Sequence, residues 1–98
     1  MKNLIVTADD FGAARQVNDA VLDAHRNGIL TAASLMVSAP AAADAVARAK
    51  ETPSVRVGLH LVLVEGQPTL PAAQVPDLVD RDGMFRTDMA RAGAAMFF

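Results

Sequence analysis

Asp9 and Asp10 stand side by side in Thr7-Ala8-Asp9-Asp10-Phe11-Gly12, directly after the apolar run Leu4-Ile5-Val6. An ionised carboxylate resists burial unless it is paired, hydrogen-bonded or bound to a cation. Two of them at the end of a buried strand make a poor core and a good site, because ligands of α/β folds gather at the carboxyl ends of strands. His60, late in another strand-like run, adds an imidazole. An Asp/Asp/His set suits a hard or borderline divalent cation such as Mg²⁺, Mn²⁺ or Zn²⁺. Such a cation polarises a carbonyl or phosphoryl oxygen and makes water more acidic. One carboxylate can then bind the ion while the other takes a proton from the water. Each residue also has a structural account. Asp favours turns and helix caps, and His60 in isolation reads as a buried, hydrogen-bonded histidine.

The elements that must position these groups alternate. Leu4–Ala8 reads as a strand, almost continuously apolar, as in a parallel sheet covered on both faces. Neighbouring strand residues point to opposite faces, so both carboxylates reach one pocket only if the backbone turns there. Gly12 eases such a turn. Ala14–Asn27 reads as helix one, with Val17, Ala20, Val21 and Ala24 as its apolar stripe and Gly28 as its stop. Strand two is expected over Ala32–Val37. Ser38 or Ala39 caps helix two, which runs from about Pro40 to Lys50. Strand three is expected over Val55–Val62, with Val55, Val57, Leu59 and Leu61 facing the helices and His60 facing away.

This β-α-β-α-β order with short connections predicts parallel strands and right-handed crossovers. The ends of strands one and three then share a rim, and Asp9, Asp10 and His60 meet there. His25 falls at the far end of helix one, roughly 20 Å away at about 1.5 Å per residue, and reads as structural. Asn18 either reaches the rim or is an ordinary exposed residue. Phe11 either packs over the site or staples the turn. Glu65 and Arg56 read as loop and surface charges. Glu65–Phe85, broken by Gly66, Pro68, Pro71 and Pro76, reads as a long loop of the kind that forms lids and binding loops, with a turn at Asp82-Gly83. Arg86–Phe98 reads as the start of a helix that ends, uncapped, on two phenylalanines. That ending leads us to expect further sequence beyond it.

With 98 residues the chain suffices for one small domain. Its net charge of −2 gives no basic excess, so nucleic acid is not an expected partner. Absence of cysteine excludes disulfides and thiolate metal sites. No secretion signal and no membrane-spanning run is legible, which makes a cytoplasmic protein the expectation. One metal-binding Asp, His60 and a base still leave a third protein ligand wanting, with no obvious candidate.

Three stretches carry a resemblance: TADDFG after the first strand, VNDAVLDAHRNGILTAASLMV, and VGLHLVLVEGQP. Their order and spacing resemble the YdjC-like carbohydrate deacetylase family over essentially the whole chain. SLMVSAPAAADAVARA and VGLHLVLVEG are closest to its hopanoid-biosynthesis-associated branch. The resemblance implies a metal-dependent hydrolase on a distorted TIM-like β/α barrel that removes an acetyl group from an N-acetylated amino sugar. In the hopanoid branch the substrate would be a lipid-linked glucosamine. It implies Asp9 as catalytic base and Asp10 and His60 as ligands of a divalent metal ion, Mg or Zn. A further metal-binding histidine comes, in the family, from a motif later than residue 98. Residues 1–98 would then be the N-terminal part of a single barrel domain, inactive alone, and a homodimer is one option for the full-length protein. Two rival readings stand beside this: a metal-dependent phosphoesterase using the same Asp/Asp/His set, and a truncated, non-catalytic interaction module.

Overall fold

The computed structural model describes residues 1–98 and divides them into two compact units, Met1–His60 and Leu61–Phe98. The architecture of the first is α/β. In chain order it holds β1 (Thr7–Phe11), α1 (Arg15–Asn27), β2 (Ala32–Leu35), α2 (Ala42–Glu51) and β3 (Arg56–Leu59). The sheet order is β1-β2-β3, and both pairings are parallel, as the alternation predicts. Phe11, Val21, Leu22, Leu30, Ala33, Ala45 and Val55 form the buried core, with Val6, Ala8, Val17, Leu35 and Ala49 packed against it.

β1 begins later than the apolar run suggests. Leu4 and Ile5 are exposed, and the strand runs through the two aspartates to Phe11 instead of stopping at Ala8. Only one face of these strands contributes to the core, so a continuous apolar run finds no second layer to enter. The Val6 carbonyl still accepts from the Thr31 and Ala32 amides at 3.0 and 3.1 Å, which anchors the strand's start. β2 and β3 are also shorter than expected, but the ladder outlasts them. Met36 N–H donates to Phe11 O at 2.8 Å, and His60 N–H to Leu35 O at 2.9 Å.

α1 has the expected extent and a different buried face. The inward residues are Asn18, Val21 and Leu22, with His25 half-buried behind them, while Ala20 and Ala24 face solvent. The spacing i, i+3, i+4, i+7 is kept, but the stripe is rotated so that a polar residue stands at each end. Two alanines gain too little from burial to hold the helix in the other orientation. α2 starts after Ala41, not at Pro40, and neither Ser38 nor Ala39 is its N-cap. The Ala41 amide is used instead on the Gly12 carbonyl, at 2.9 Å.

Val55 is buried, whereas Val57, Leu59 and Leu61 are exposed although the alternation assigns them inward. β1 is one edge of the sheet, β3 the other. Beside it, Val46, Ala49, Pro53, Val55 and Val57 line an open apolar groove.

In Leu61–Phe98 the expected loop holds a short 3₁₀ turn at Ala72–Gln74 and an isolated antiparallel bridge between Val79 and Phe85. The Asp82-Gly83 turn is present: Gly83 has φ +76°, and the Asp80 carboxylate accepts from the Asp82 and Met84 amides. α3 (Met89–Phe97) begins three residues later than Arg86, because Asp88 caps it by accepting from the Ala90 and Arg91 amides. No helix is long and apolar enough to cross a membrane.

Candidate metal and acid–base site

The two aspartates sit on an irregularity that the sequence does not announce. Ala8 pairs with Ala33 and Phe11 pairs with Leu35. Between those pairs β1 spends two residues, Asp9 and Asp10, where β2 spends one, Ser34. This is the count of a β-bulge, in which two residues oppose one. Asp10 takes φ +61°, a left-handed conformation that Asp tolerates better than most residues. The bulge resets the alternation. In a regular strand Asp10 would share the inward face of Ala8. Here Phe11 takes that face and is fully buried, while Asp10 is released to the rim. Phe11 therefore belongs to the core and does not cover the site.

The backbone around the bulge is clamped residue by residue. Ala13 N–H donates to Asp10 O at 2.9 Å, Met36 N–H to Phe11 O and Ala41 N–H to Gly12 O. Gly12 N–H donates to the Asn18 Oδ1 at 2.8 Å. Gly12 is also sterically required: its φ is +99°, and a Cβ would lie 3.1 Å from Leu35 Cδ1 and 3.2 Å from both Ala42 Cα and Met36 O.

Asn18, left open between rim and surface by the sequence, is completely buried and is part of this clamp. Its amide donates to Ala41 O at 3.1 Å and to Asp44 Oδ2 at 2.9 Å. One side chain thus ties the acidic turn to the start of α2, with its hydrogen-bonding groups engaged as a buried amide requires. Asp44 also accepts from Arg48, whose guanidinium reaches Asp19 as well. The Asn18 hydrogen bond lowers the Asp44 pKa; partial desolvation opposes it, and the Arg48 charge adds to the lowering.

On the rim, three strands converge. Ser34 Oγ donates to Asp9 Oδ1 at 2.9 Å and lies 3.2 Å from His60 Nδ1. Asp10 N–H donates to the same Nδ1 at 3.3 Å, and Asp10 Oδ1 lies 3.7 Å from it. Asp9, Asp10 and His60 therefore stand at one rim, joined through Ser34, a residue the sequence reading passed over. Its only signal was position: Ser34 falls in β2, level with the aspartates of the neighbouring strand.

With Nδ1 accepting from the Asp10 amide, the ring proton is on Nε2. The Nδ1 lone pair is then engaged by that amide, with the Asp10 carboxylate oxygen close by, so a cation shared by the two would take the place of the amide hydrogen bond. Two donors that share one cation at about 2.1 Å each sit roughly 3.0–3.4 Å apart in tetrahedral or octahedral geometry, and the separation here, 3.7 Å, is slightly wider. The pair fits a hard or borderline divalent cation in donor type, and a small movement of the exposed Asp10 side chain would bring it to that spacing. No group of three or more His, Asp or Glu side chains in the structure is placed to hold such an ion, and the Asp9 carboxylate accepts from Ser34.

His25 lies at the opposite end of α1. Its Nδ1–H donates to the Leu30 carbonyl at 2.7 Å, and its Nε2 is 2.8 Å from Ser54 Oγ.

A family model described as YdjC-like protein matches residues 3–97, a span that includes every rim residue named above. The chain is 48% identical over 83 residues to a carbohydrate deacetylase of Brevibacillus brevis, covering 85% of this chain and 33% of that protein. It is 46% identical over 91 residues to a carbohydrate deacetylase of Geobacillus stearothermophilus, covering 92% of this chain and 36% of the other. A crystal structure from Enterococcus faecalis, provisionally described as a cellobiose-phosphate cleavage protein, superposes with a TM-score of 0.82 at 33% identity. That match covers 86% of this chain and 33% of the other. The chain spans about a third of the length of the relatives it matches.

Proposed function

The chain belongs to the YdjC-like protein family, and from that premise we propose that it supplies the base and part of the metal site of a carbohydrate N-deacetylase. The observation that carries this reading is the bulge that sets Asp9 and Asp10 together opposite Ser34, with His60 Nδ1 3.7 Å from Asp10 Oδ1.

In this reading Asp10 and His60 hold a divalent cation, Mg²⁺ or Zn²⁺, which when bound supplies Lewis-acid polarisation of the amide carbonyl and acidifies water. Asp9 is the base. Its carboxylate, held on the rim by Ser34, accepts the proton of the water that attacks the acetyl carbon, and it is placed to return a proton to the departing amine. Asn18 and Gly12 keep the backbone of the turn in place, so the carboxylates do not have to be reordered for each turnover. The family resemblance supplies a third ligand, a histidine from a later motif. It also supplies the barrel, which the exposed edge of β3 and its neighbouring groove are suited to continue. The substrate in this account is an N-acetylated amino sugar, and the hopanoid-branch likeness extends it to a lipid-linked one.

The phosphoesterase alternative uses the same Asp/Asp/His set, and the phosphorylated disaccharide named for the Enterococcus relative suggests a substrate on which to test it. Both readings are tested together by following acetate and phosphate release from N-acetylglucosamine disaccharides with and without a phosphate, using the protein that carries this segment. Acetate release that falls by about 10²–10⁴ in Asp9→Asn is the expected result. Phosphate release without acetate release would replace the deacetylase reading by the phosphoesterase one.

A further inference from the structure

Adjacent carboxylates of the same chemical type need something to make their roles different. Left free, Asp9 and Asp10 would both be drawn to a cation at His60, and no base would remain. The structure places one group between Asp9 and the imidazole. Ser34 is the single β2 residue opposite the two-residue bulge. Its Oγ lies 2.9 Å from Asp9 Oδ1 and 3.2 Å from His60 Nδ1. A serine hydroxyl carries one proton and two lone pairs. That proton is committed to Asp9, and the oxygen itself fills the space between Asp9 and the imidazole. Asp10 has no such tether: its carboxylate stands on the left-handed residue of the bulge, with Nδ1 as its near neighbour.

We propose that Ser34 is the positioning residue that divides the two aspartates, holding Asp9 as proton acceptor and keeping it out of the cation pair formed by Asp10 and His60. The inference rests on the assignment of that pair. It adds what the pair alone does not explain, namely why the carboxylate next in sequence is not a third ligand.

The test uses Ser34→Ala, Ser34→Thr, Asp9→Ala and the Ser34→Ala/Asp9→Ala double variant, with Asp10→Ala as reference. In the metal-free chain, ¹³C NMR of the Asp9 carboxyl is expected to shift in Ser34→Ala and to stay in place in Ser34→Thr, which keeps the hydroxyl. In Zn²⁺ titrations, Ser34→Ala is expected to bind roughly three- to tenfold tighter than the unaltered chain, as Asp9 swings in and adds a charged ligand. That gain should vanish in the double variant, and Ser34→Thr should titrate like the unaltered chain. An unmoved Asp9 resonance in Ser34→Ala overturns the proposal, as does a Zn²⁺ affinity that Asp10→Ala removes but Ser34→Ala leaves unchanged. Zn²⁺ binding indifferent to Asp10→Ala overturns the metal assignment instead, and is distinguished by leaving the Asp9 resonance shift in place.

Discussion

The two histidines occupy opposite rims of the same small sheet and have opposite hydrogen-bonding balances. At the rim where α1 ends, His25 has one partner per nitrogen, the Leu30 carbonyl and Ser54 Oγ. Around it Thr31 Oγ1 both accepts from Val6 N–H and donates to Val6 O, and Arg26 donates to Thr52. Donors and acceptors are matched, and the cluster closes the fold. At the other rim, the Nδ1 of His60 alone has Asp10 N–H, Ser34 Oγ and Asp10 Oδ1 around it. Acceptors outnumber donors there, and in the proposed reading a cation would make up the difference. The residue type is the same; the hydrogen-bonding balance around it is not.

Variants can break this contrast or sharpen it. The largest loss of stability is expected from Asn18→Ala. It strips the buried Gly12 N–H of its partner and leaves the Ala41 carbonyl with the Ala45 N–H alone, and a buried group left unpaired costs about 1–3 kcal/mol. Chemical denaturation should show the lower midpoint, and the backbone amides of residues 10–13 should lose hydrogen-exchange protection. Unchanged protection there would mean that the acidic turn does not depend on the clamp. His25→Ala should cost less, about 1–2 kcal/mol for two hydrogen bonds at a half-buried site, and should leave divalent-ion binding untouched. An effect on ion binding would erase the distinction between the rims. The smallest effect is the acid response of Asp44. Its folded pKa lies below its unfolded one, so its contribution is full at neutral pH. It fades as pH falls below the unfolded value, near ~3.9, and through the lower folded value. Asp44→Asn should therefore flatten the loss of stability in that acid window; an unchanged acid profile would show that the Asn18–Asp44–Arg48 contacts carry no proton linkage.

The order of elements, the parallel sheet and the meeting of strand ends were legible because hydrophobic period and connection length dictate them. So was the need for a turn at the acidic pair, since two neighbours on a regular strand cannot share a face. What was not legible depended on partners distant in sequence. By type Asn18 fits the rim or the surface equally, but Gly12, Ala41 and Asp44 together repay its burial, and the whole stripe of α1 rotates with it. The bulge needs β2 beside β1 before two residues can be counted against one. Ser34 gains its meaning only from that register. The exposure of Val57 and Leu59 follows from β3 being an edge, which alternation within one strand cannot reveal.

The central claim is that the surplus of acceptors at His60 is a cation site. Its most direct test is calorimetric titration of Zn²⁺ and Mg²⁺ into the chain and into His60→Ala and His25→Ala, with circular dichroism confirming that all three are folded. The account predicts that His60→Ala weakens binding by more than about tenfold, since it removes one of two protein ligands, and that His25→Ala binds as the unaltered chain does. Binding that survives His60→Ala, or that disappears with His25→Ala, would contradict it.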